Sequence, residues 1–301
     1  MTRVENAMGL CTLFLCVFIS GCAIAPSGCP VCGLQHEHPP EAQSSFLRAE
    51  DVDWTPLNPA RGDRSPQAAN LWGDRSEAGA TGFMVKFVDG FSSPPHIHNV
   101  TYRGVVLEGE VHNDDPAAAT MWMPKGSFWT QPAGEVHITS ARGQTNIAYI
   151  EIDSGPYLVR PPDQAFDKGE RPVNVHDSNL VWVDDANLAW IKQELGVEIA
   201  FLWGDPDSDQ PYGLMARVPP GFAGTIRHQL GPLRAIVIDG SIRHPHDEAD
   251  EPALLKAGSY LGTGLETSGG LSFSSESGAV LYLRARSALE IKADDAEPAA
   301  R

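Results

Sequence analysis

Three histidines with two distinct spacings are the residues most able to do chemistry here. His96 and His98 flank Ile97 after a Pro-Pro pair, and His137 closes the run Gly126-Ser-Phe-Trp-Thr-Gln-Pro132-Ala-Gly134-Glu-Val-His137. Side chains two apart on a strand share a face, so both rings of His96-Ile-His98 point to one side. The Gly and Pro residues before His137 supply a turn that can bring a second strand alongside. Three converging imidazoles form a site for one divalent ion such as Fe, Zn, Mn, Ni or Cu. A bare His-x-His is also common as a surface or packing pair; the third histidine after its turn is what favours metal. Tyr102 has the parity of His96 and His98, so on an unbroken strand it faces the same interior. Glu151, on a later strand, is a candidate base, and Glu135, in the turn two residues before His137, reads as a solvated turn carboxylate or as a group that orients an imidazole. Trp122, Trp129, Met121 and Met123 read as core or wall.

The elements that must position these residues are short strands between turns. The chain carries 29 Gly and 24 Pro with 42% apolar and 20% charged residues, which suits many strands and a real core. Apolar or β-branched runs at Gly82–Val88, Val100–Leu107, Ala119–Met123 and Asn146–Ile152 are expected strands, with Gly90, Gly109, Gly126 and Gly134 as turns. One short helix is expected near Asp185–Glu194. The chain also repeats itself. Leu71-Trp72-Gly73-Asp74 recurs as Leu202-Trp203-Gly204-Asp205, an offset of 131 that also pairs Gly82 with Gly213, Met84 with Met215, Arg103 with Arg234 and Gly109 with Gly240. Tyr149 matches Tyr282 after a slip of two residues. The body is therefore expected to be all-β with two similar domains, 46–160 and 175–292, joined by a Pro-rich linker at 161–174 and followed by a tail at 293–301. The offset places Arg227, Gln229 and Leu233 opposite His96, His98 and Tyr102, so no metal site is expected in the second domain. His228 is expected to point the other way, and His244, His246, Asp247 and Glu248 to form a solvated charged loop. Arg103 and Arg234, being shared, are expected to be structural.

The spacing of the site resembles the cupin superfamily. Its first motif is His-x-His, then Glu, then Gly; here it is met by His96, His98 and Gly109, with Tyr102 in the Glu place. Its second motif is met at Gly126, Pro132, Gly134 and His137, with Ala141 at its closing Asn. The resemblance implies two tandem cupin barrels, each a jelly roll or double-stranded β-helix, and looks most like the two-domain ChrR-like group. It implies one metal ion, on His96, His98 and His137. Without a carboxylate the ion would keep its double charge and favour an anionic chelating ligand such as an enolate, carboxylate or 2-hydroxyacid. Tyr102 is then expected as wall or hydrogen-bond donor, since a neutral phenol is a poor ligand. Edge-strand pairing, common in the family, implies either a homodimer or two barrels that already satisfy each other.

The N-terminus carries a different signal. Residues 10–20 form one apolar run, short of the roughly 20 residues that span a bilayer and suited to a signal peptide. Ile19-Ser20-Gly21-Cys22 resembles the bacterial lipoprotein cleavage box. Residues 1–21 are thus expected as a lipoprotein signal peptide, Cys22 as the lipidated residue, and 22–45 as a tether. This implies a lipid anchor in the cell envelope, at the outer membrane and facing the periplasm. Cys29, Cys32, His36 and His38 in the tether are a disulfide or a small metal site. No cysteine follows Cys32, so the body depends on no disulfide. A formal net charge of −17 repels phosphate backbones and argues against nucleic acid as a partner.

Three functions compete on these residues. One is an oxygenase acting on a small chelating oxyanion or enolate. Another is a non-catalytic ligand-binding, metal-binding or sensory protein. The third is an isomerase or hydrolase using Zn or Mn as a Lewis acid. Each takes a small-molecule ligand at the His96, His98 and His137 centre.

Overall fold

The computed structural model describes residues 44–191, 195–246, 251–264 and 269–294. The expected signal peptide, Cys22, the Cys29/Cys32/His36/His38 group, Asp247, Glu248 and nearly all of the tail lie outside the described residues. No described helix is long and apolar enough to cross a membrane.

Alternating apolar and polar residues, with Gly and Asp at the turns, produce two antiparallel sheets that curl into jelly rolls. The first runs in the order Val173–Val175, Phe128–Gln131, Tyr102–Asp114, Ile138–Ile152, Thr81–Phe87, Gln67–Trp72 and Thr55–Pro56. In the second, Val183–Asp184, Glu198–Trp203, Tyr212–Val218, Ala279–Ala285 and Arg234–His244 lead on to Gly269–Ser275, Phe222–His228 and Glu290–Ala293. Each sheet takes a strand from outside its own half. Ser45–Leu47 pairs with Tyr260–Gly262, and Val173–Val175 pairs with Phe128–Gln131. The two halves thus exchange the arms that precede them.

Three apolar clusters fill the body. One lies in the first barrel around Phe83, Tyr102, Val106, Trp129 and Ile150, and one in the second around Leu214, Ile226, Leu233, Leu281 and Ile291. The third joins them, with Met84, Val105, Phe128 and Tyr149 packed on Met215, Ile236, Tyr260 and Tyr282.

Three expectations need correction. Ala119–Met123 is not a strand: only Met123–Pro124 pairs, because Asp115 and Ala118 close a turn first. Gly109 is not a chain-reversing turn. It takes φ +73 inside Tyr102–Asp114, where the register against Ile138–Ile152 shifts, so it forms a bulge within a strand that continues to Asp114. The helix near Asp185–Glu194 is a single 3₁₀ turn, Asp185–Asn187, among the described residues. The Asp185 carboxylate accepts from the amides of Leu195 and Val197, folding the segment back on itself instead of extending it.

Candidate metal centre

Local backbone pairing brings the three imidazoles together. His96 and His137 face each other across an antiparallel bridge, each amide donating to the other's carbonyl at 3.0 Å. Paired residues share a face, so the two rings lie side by side with centroids 4.3 Å apart. Ile97–His98 pairs in turn with Val159–Arg160, and the Gly134 amide donates to the His98 carbonyl at 2.8 Å. The linker after the first barrel thus straps the His-x-His strand, and the turn before His137 is tied to the same strand. Gly134 has φ +78, and a Cβ there would collide with Phe166 of the strap.

One donor atom from each of His96, His98 and His137 lies within 4.8 Å of the others. Ligand bonds of about 2.1 Å put donors roughly 3–3.5 Å apart, so small ring rotations close the set on an ion. Two of the rings have their outer nitrogen held. His96 Nδ1 is 3.0 Å from the Pro94 carbonyl, and His137 Nδ1 is 3.1 Å from that of Glu135. A carbonyl accepts only from N–H, which places the proton on Nδ1 and leaves Nε2 with its lone pair. Burial holds all three rings below the usual imidazole range. His137 is lowered to about 3 by burial and then by the neighbouring His96, while His98, fully buried and beside both other rings, is held well below its usual value. Neutral imidazoles with inward lone pairs fit a divalent ion.

Glu135 contributes through its backbone carbonyl. Its carboxyl is pushed up by burial and has one oxygen without a partner among the described residues.

Two phenols flank the donors. Tyr102 is 3% exposed, and its hydroxyl donates to Asn113 Oδ1 at 2.8 Å while lying 3.4 Å from His137 Nε2. Thr139 also donates to Asn113 Oδ1, Asn113 donates to Gln131, and Gln131 donates to the Glu135 carbonyl. Tyr157 Oη is 3.2 Å from His98 Nε2, with its ring stacked on that imidazole at 4.3 Å and 21°. Burial raises both phenols above the usual tyrosine range, so both stay protonated. Asn113, Gln131, Thr139 and Tyr157 were not singled out from the sequence. Thr139 shares the parity of His137, and that was a usable signal. Tyr157 lies beyond the closing strand, where no periodicity points to it.

Glu151 does not reach this centre. Its neighbour Ile152 belongs to the first barrel's core, so strand alternation turns Glu151 outward, toward the second barrel. There it is fully buried and accepts from Tyr149 Oη at 3.0 Å, Tyr282 Oη at 2.9 Å and Arg284 Nη1 at 2.9 Å. The same face explains Arg103, which stacks on Trp203 at 3.5 Å, and Arg234, which lies 5.4 Å from the Trp72 ring. Trp129 is buried beneath Tyr102 as wall, whereas Trp122 is partly exposed under Arg142.

The second barrel lacks the donor set among the described residues, but two of its histidines differ from expectation. His228 is buried, with Nε2 3.0 Å from Thr263 Oγ1, because Phe222–His228 buries Phe222, Ile226 and His228 and exposes Arg227. His244 is buried rather than solvated. It ends the strand Arg234–His244 and is held by Ser44 Oγ and the Ser272 carbonyl, each at 2.8 Å.

The family model described as a domain of unknown function, DUF4437, matches residues 45–292. No curated protein matches the sequence. Among solved structures, a candidate dioxygenase from Nostoc punctiforme superposes with a TM-score of 0.60 at 15% identity, covering 86% of this chain and 85% of its own. The salicylate 1,2-dioxygenase of Pseudaminobacter salicylatoxidans gives 0.53 at 14%, covering 87% and 91%. The oxalate decarboxylase of Lactobacillus farciminis gives 0.52 at 9%, covering 82% and 88%. At such identities the likeness is one of fold, an all-β jelly roll of curled antiparallel sheets like that of the cupin dioxygenases and decarboxylase.

Proposed function

This chain belongs to the DUF4437 family, and we propose that it holds one divalent metal ion on His96, His98 and His137 and binds a small chelating oxyanion there. The observation that carries this reading is the donor set itself: three neutral imidazoles, His98 and His137 buried and His96 half-buried, two of them fixed by backbone carbonyls, with no carboxylate among them. When bound, the ion supplies uncompensated positive charge and, as iron, a redox centre for dioxygen. The residues do the rest. His96 and His137 are held in the tautomer that faces Nε2 inward. Phe83, Tyr102 and Trp129 wall the site against water, and Tyr102 stays a neutral phenol beside His137. Charge balance favours an enolate or a hydroxycarboxylate chelator, and salicylate and gentisate, named with one fold relative, are hydroxycarboxylates in that broader sense. Oxygenase chemistry on such a ligand is therefore the reading we prefer.

Metal analysis of protein purified without added metal tests it first. About one equivalent of iron, with oxygen uptake on a panel of enolates and 2-hydroxybenzoates, is the expected result. Zinc with no uptake overturns the oxygenase reading, and a His96→Ala protein that keeps its full metal content overturns the site. We further propose that lipid on Cys22 tethers the body to the cell envelope. Cys22→Ser should then release the protein from membranes, and retention would refute the anchor.

A further inference from the structure

The two phenols beside the donor nitrogens are not equivalent, and their hydrogen-bond inventories separate them. Tyr102 has a committed proton. It donates to Asn113 Oδ1 at 2.8 Å, inside a buried network completed by Thr139 and Gln131. Whatever occupies the centre, that hydrogen has an acceptor. Tyr157 has none. Its hydroxyl touches one polar atom among the described residues, His98 Nε2 at 3.2 Å. A donor to an imidazole nitrogen should lie in the ring plane, along the lone pair. Here the two rings are stacked at 21°, which puts the phenol oxygen off that plane and leaves the lone pair free. The Tyr157 hydroxyl therefore sits beside Nε2, one of the two nitrogens that His98 can offer the centre, without consuming its lone pair.

With Nε2 committed to an ion, the Tyr157 hydrogen has no acceptor left among the described residues. A ligand bond of about 2.1 Å keeps the ion within about 5 Å of that oxygen. This is the range over which a hydroxyl reaches an oxygen bound to the ion. A half-buried donor left unpaired beside the centre is unfavourable, and an oxygen bound to the ion is an acceptor within its reach. The Tyr157 ring is held firmly in this position. It stacks on His98 and meets Phe83 edge-on at 5.2 Å, and its amide donates to the Arg75 carbonyl.

Resting on the metal reading above, we propose that Tyr157 is a positioning residue that donates its hydroxyl hydrogen to one oxygen of the metal-bound anion, selecting ligands with two adjacent oxygens, one anionic. No covalent step is involved. Tyr157 holds its proton throughout and fixes which oxygen of the chelate lies on the His98 side.

The test uses cobalt(II)-loaded protein, whose visible spectrum reports the ligands of the ion, titrated with glycolate as the simplest 2-hydroxycarboxylate. Wild type, Tyr157→Phe and Tyr102→Phe are compared. Phe keeps the stacked ring, so Tyr157→Phe should fold, bind one cobalt and show the wild-type spectrum before glycolate is added. Its glycolate dissociation constant should rise about tenfold or more, the usual size of a hydrogen bond to a charged acceptor. Tyr102→Phe should change it less than about threefold, because that proton is already used. Equal glycolate affinity in wild type and Tyr157→Phe, both fully loaded, overturns the proposal and leaves the metal centre standing. A larger loss in Tyr102→Phe than in Tyr157→Phe also overturns it. Wild-type protein that binds no cobalt overturns the metal reading and the proposal together.

Discussion

Replacing Glu151 by Leu probes what this buried carboxylate does. Glu151 is fully buried between the barrels, and three donors converge on it: Tyr149, Tyr282 and Arg284. Leu removes the acceptor of all three. Arg284 is 9% exposed and would keep only Asp153, at 2.6 Å and itself half exposed. Each tyrosine oxygen still accepts from an indole, Trp72 or Trp203, but its own hydrogen would be stranded. Breaking a buried ion pair by removing one partner costs about 3–5 kcal/mol. The surviving Asp153 contact pulls that toward the lower end, and two stranded hydroxyls at about 1 kcal/mol each pull it back. The expected loss is therefore about 3–5 kcal/mol.

Urea unfolding, followed by tryptophan fluorescence and far-UV circular dichroism, measures it. The third cluster packs both barrels into one core, so a single shared transition is expected. The double substitution Glu151→Leu with Arg284→Met supplies the decisive comparison. It removes both charges and fills the space with apolar atoms while the two tyrosine hydroxyls stay stranded, and should lie about 2 kcal/mol below wild type. A single substitution costing under about 1 kcal/mol, or a double no better than the single, would refute the reasoning. Metal affinity should not change in either variant, because the side chain points away from His96, His98 and His137. A selective loss of metal affinity would return Glu151 to the centre.

Gly134→Ala should cost about 1–3 kcal/mol through its positive φ and its collision with Phe166. It should also weaken metal binding by displacing the turn before His137; unchanged metal affinity in a calorimetric titration would disconnect strap from site. Asp153 links stability to pH. Burial raises its carboxyl, but Arg103 and Arg284 lower it more, so the folded value lies below the ordinary one. Its contribution is thus present above the unfolded carboxyl value of about 3.9 and is lost as pH falls through the lower folded value. Asp153→Asn should flatten the acid limb of a stability-versus-pH curve, and an unchanged limb would show that the pairing contributes nothing there. Tyr102→Phe should cost about 1–2 kcal/mol for one donor lost from a buried network, without loss of metal. Release of the metal would make Tyr102 a ligand.

The three-histidine cluster was legible from its spacing: His-x-His fixes a face, and the Gly126–His137 run fixes the turn that delivers the third ring. Tyr102 was legible by parity. Glu151 misled because parity was not applied to it. Strand identity alone put a carboxylate near the centre, while the neighbouring Ile152, facing the core, assigns Glu151 to the outer face. Tyr157 was beyond reach. It is delivered by a strap that pairs with Ile97–His98 across about 60 residues of sequence, and irregular chain carries no periodic signal. His228 and His244 were misplaced for a related reason: an offset between halves aligns residues, not side-chain directions, and the second barrel turns Arg227 out and His228 in.

The repeat itself has a physical explanation. Most of the residues that recur at the offset lie where the barrels meet rather than at the metal. Each Trp of the repeated Leu-Trp-Gly-Asp packs over the paired Gly82 or Gly213, where any Cβ would strike the indole, and donates to the paired Tyr149 or Tyr282. Met84, Met215 and both tyrosines share one cluster. In two identical barrels related by a twofold axis, position 151 would meet a second carboxylate where this chain presents Arg284. Two halves of one chain need not be identical, so Glu151 and Arg284, which occupy the same place in each, can form a pair instead of a clash. That difference makes the two faces complementary to each other and no longer self-complementary. The second barrel then has a structural role that makes no demand on Arg227, Gln229 or Leu233. Three histidines are not needed there for the fold, while losing Arg284 would leave Glu151 buried with two tyrosine donors and only Arg103, 4.0 Å away, as counter-charge.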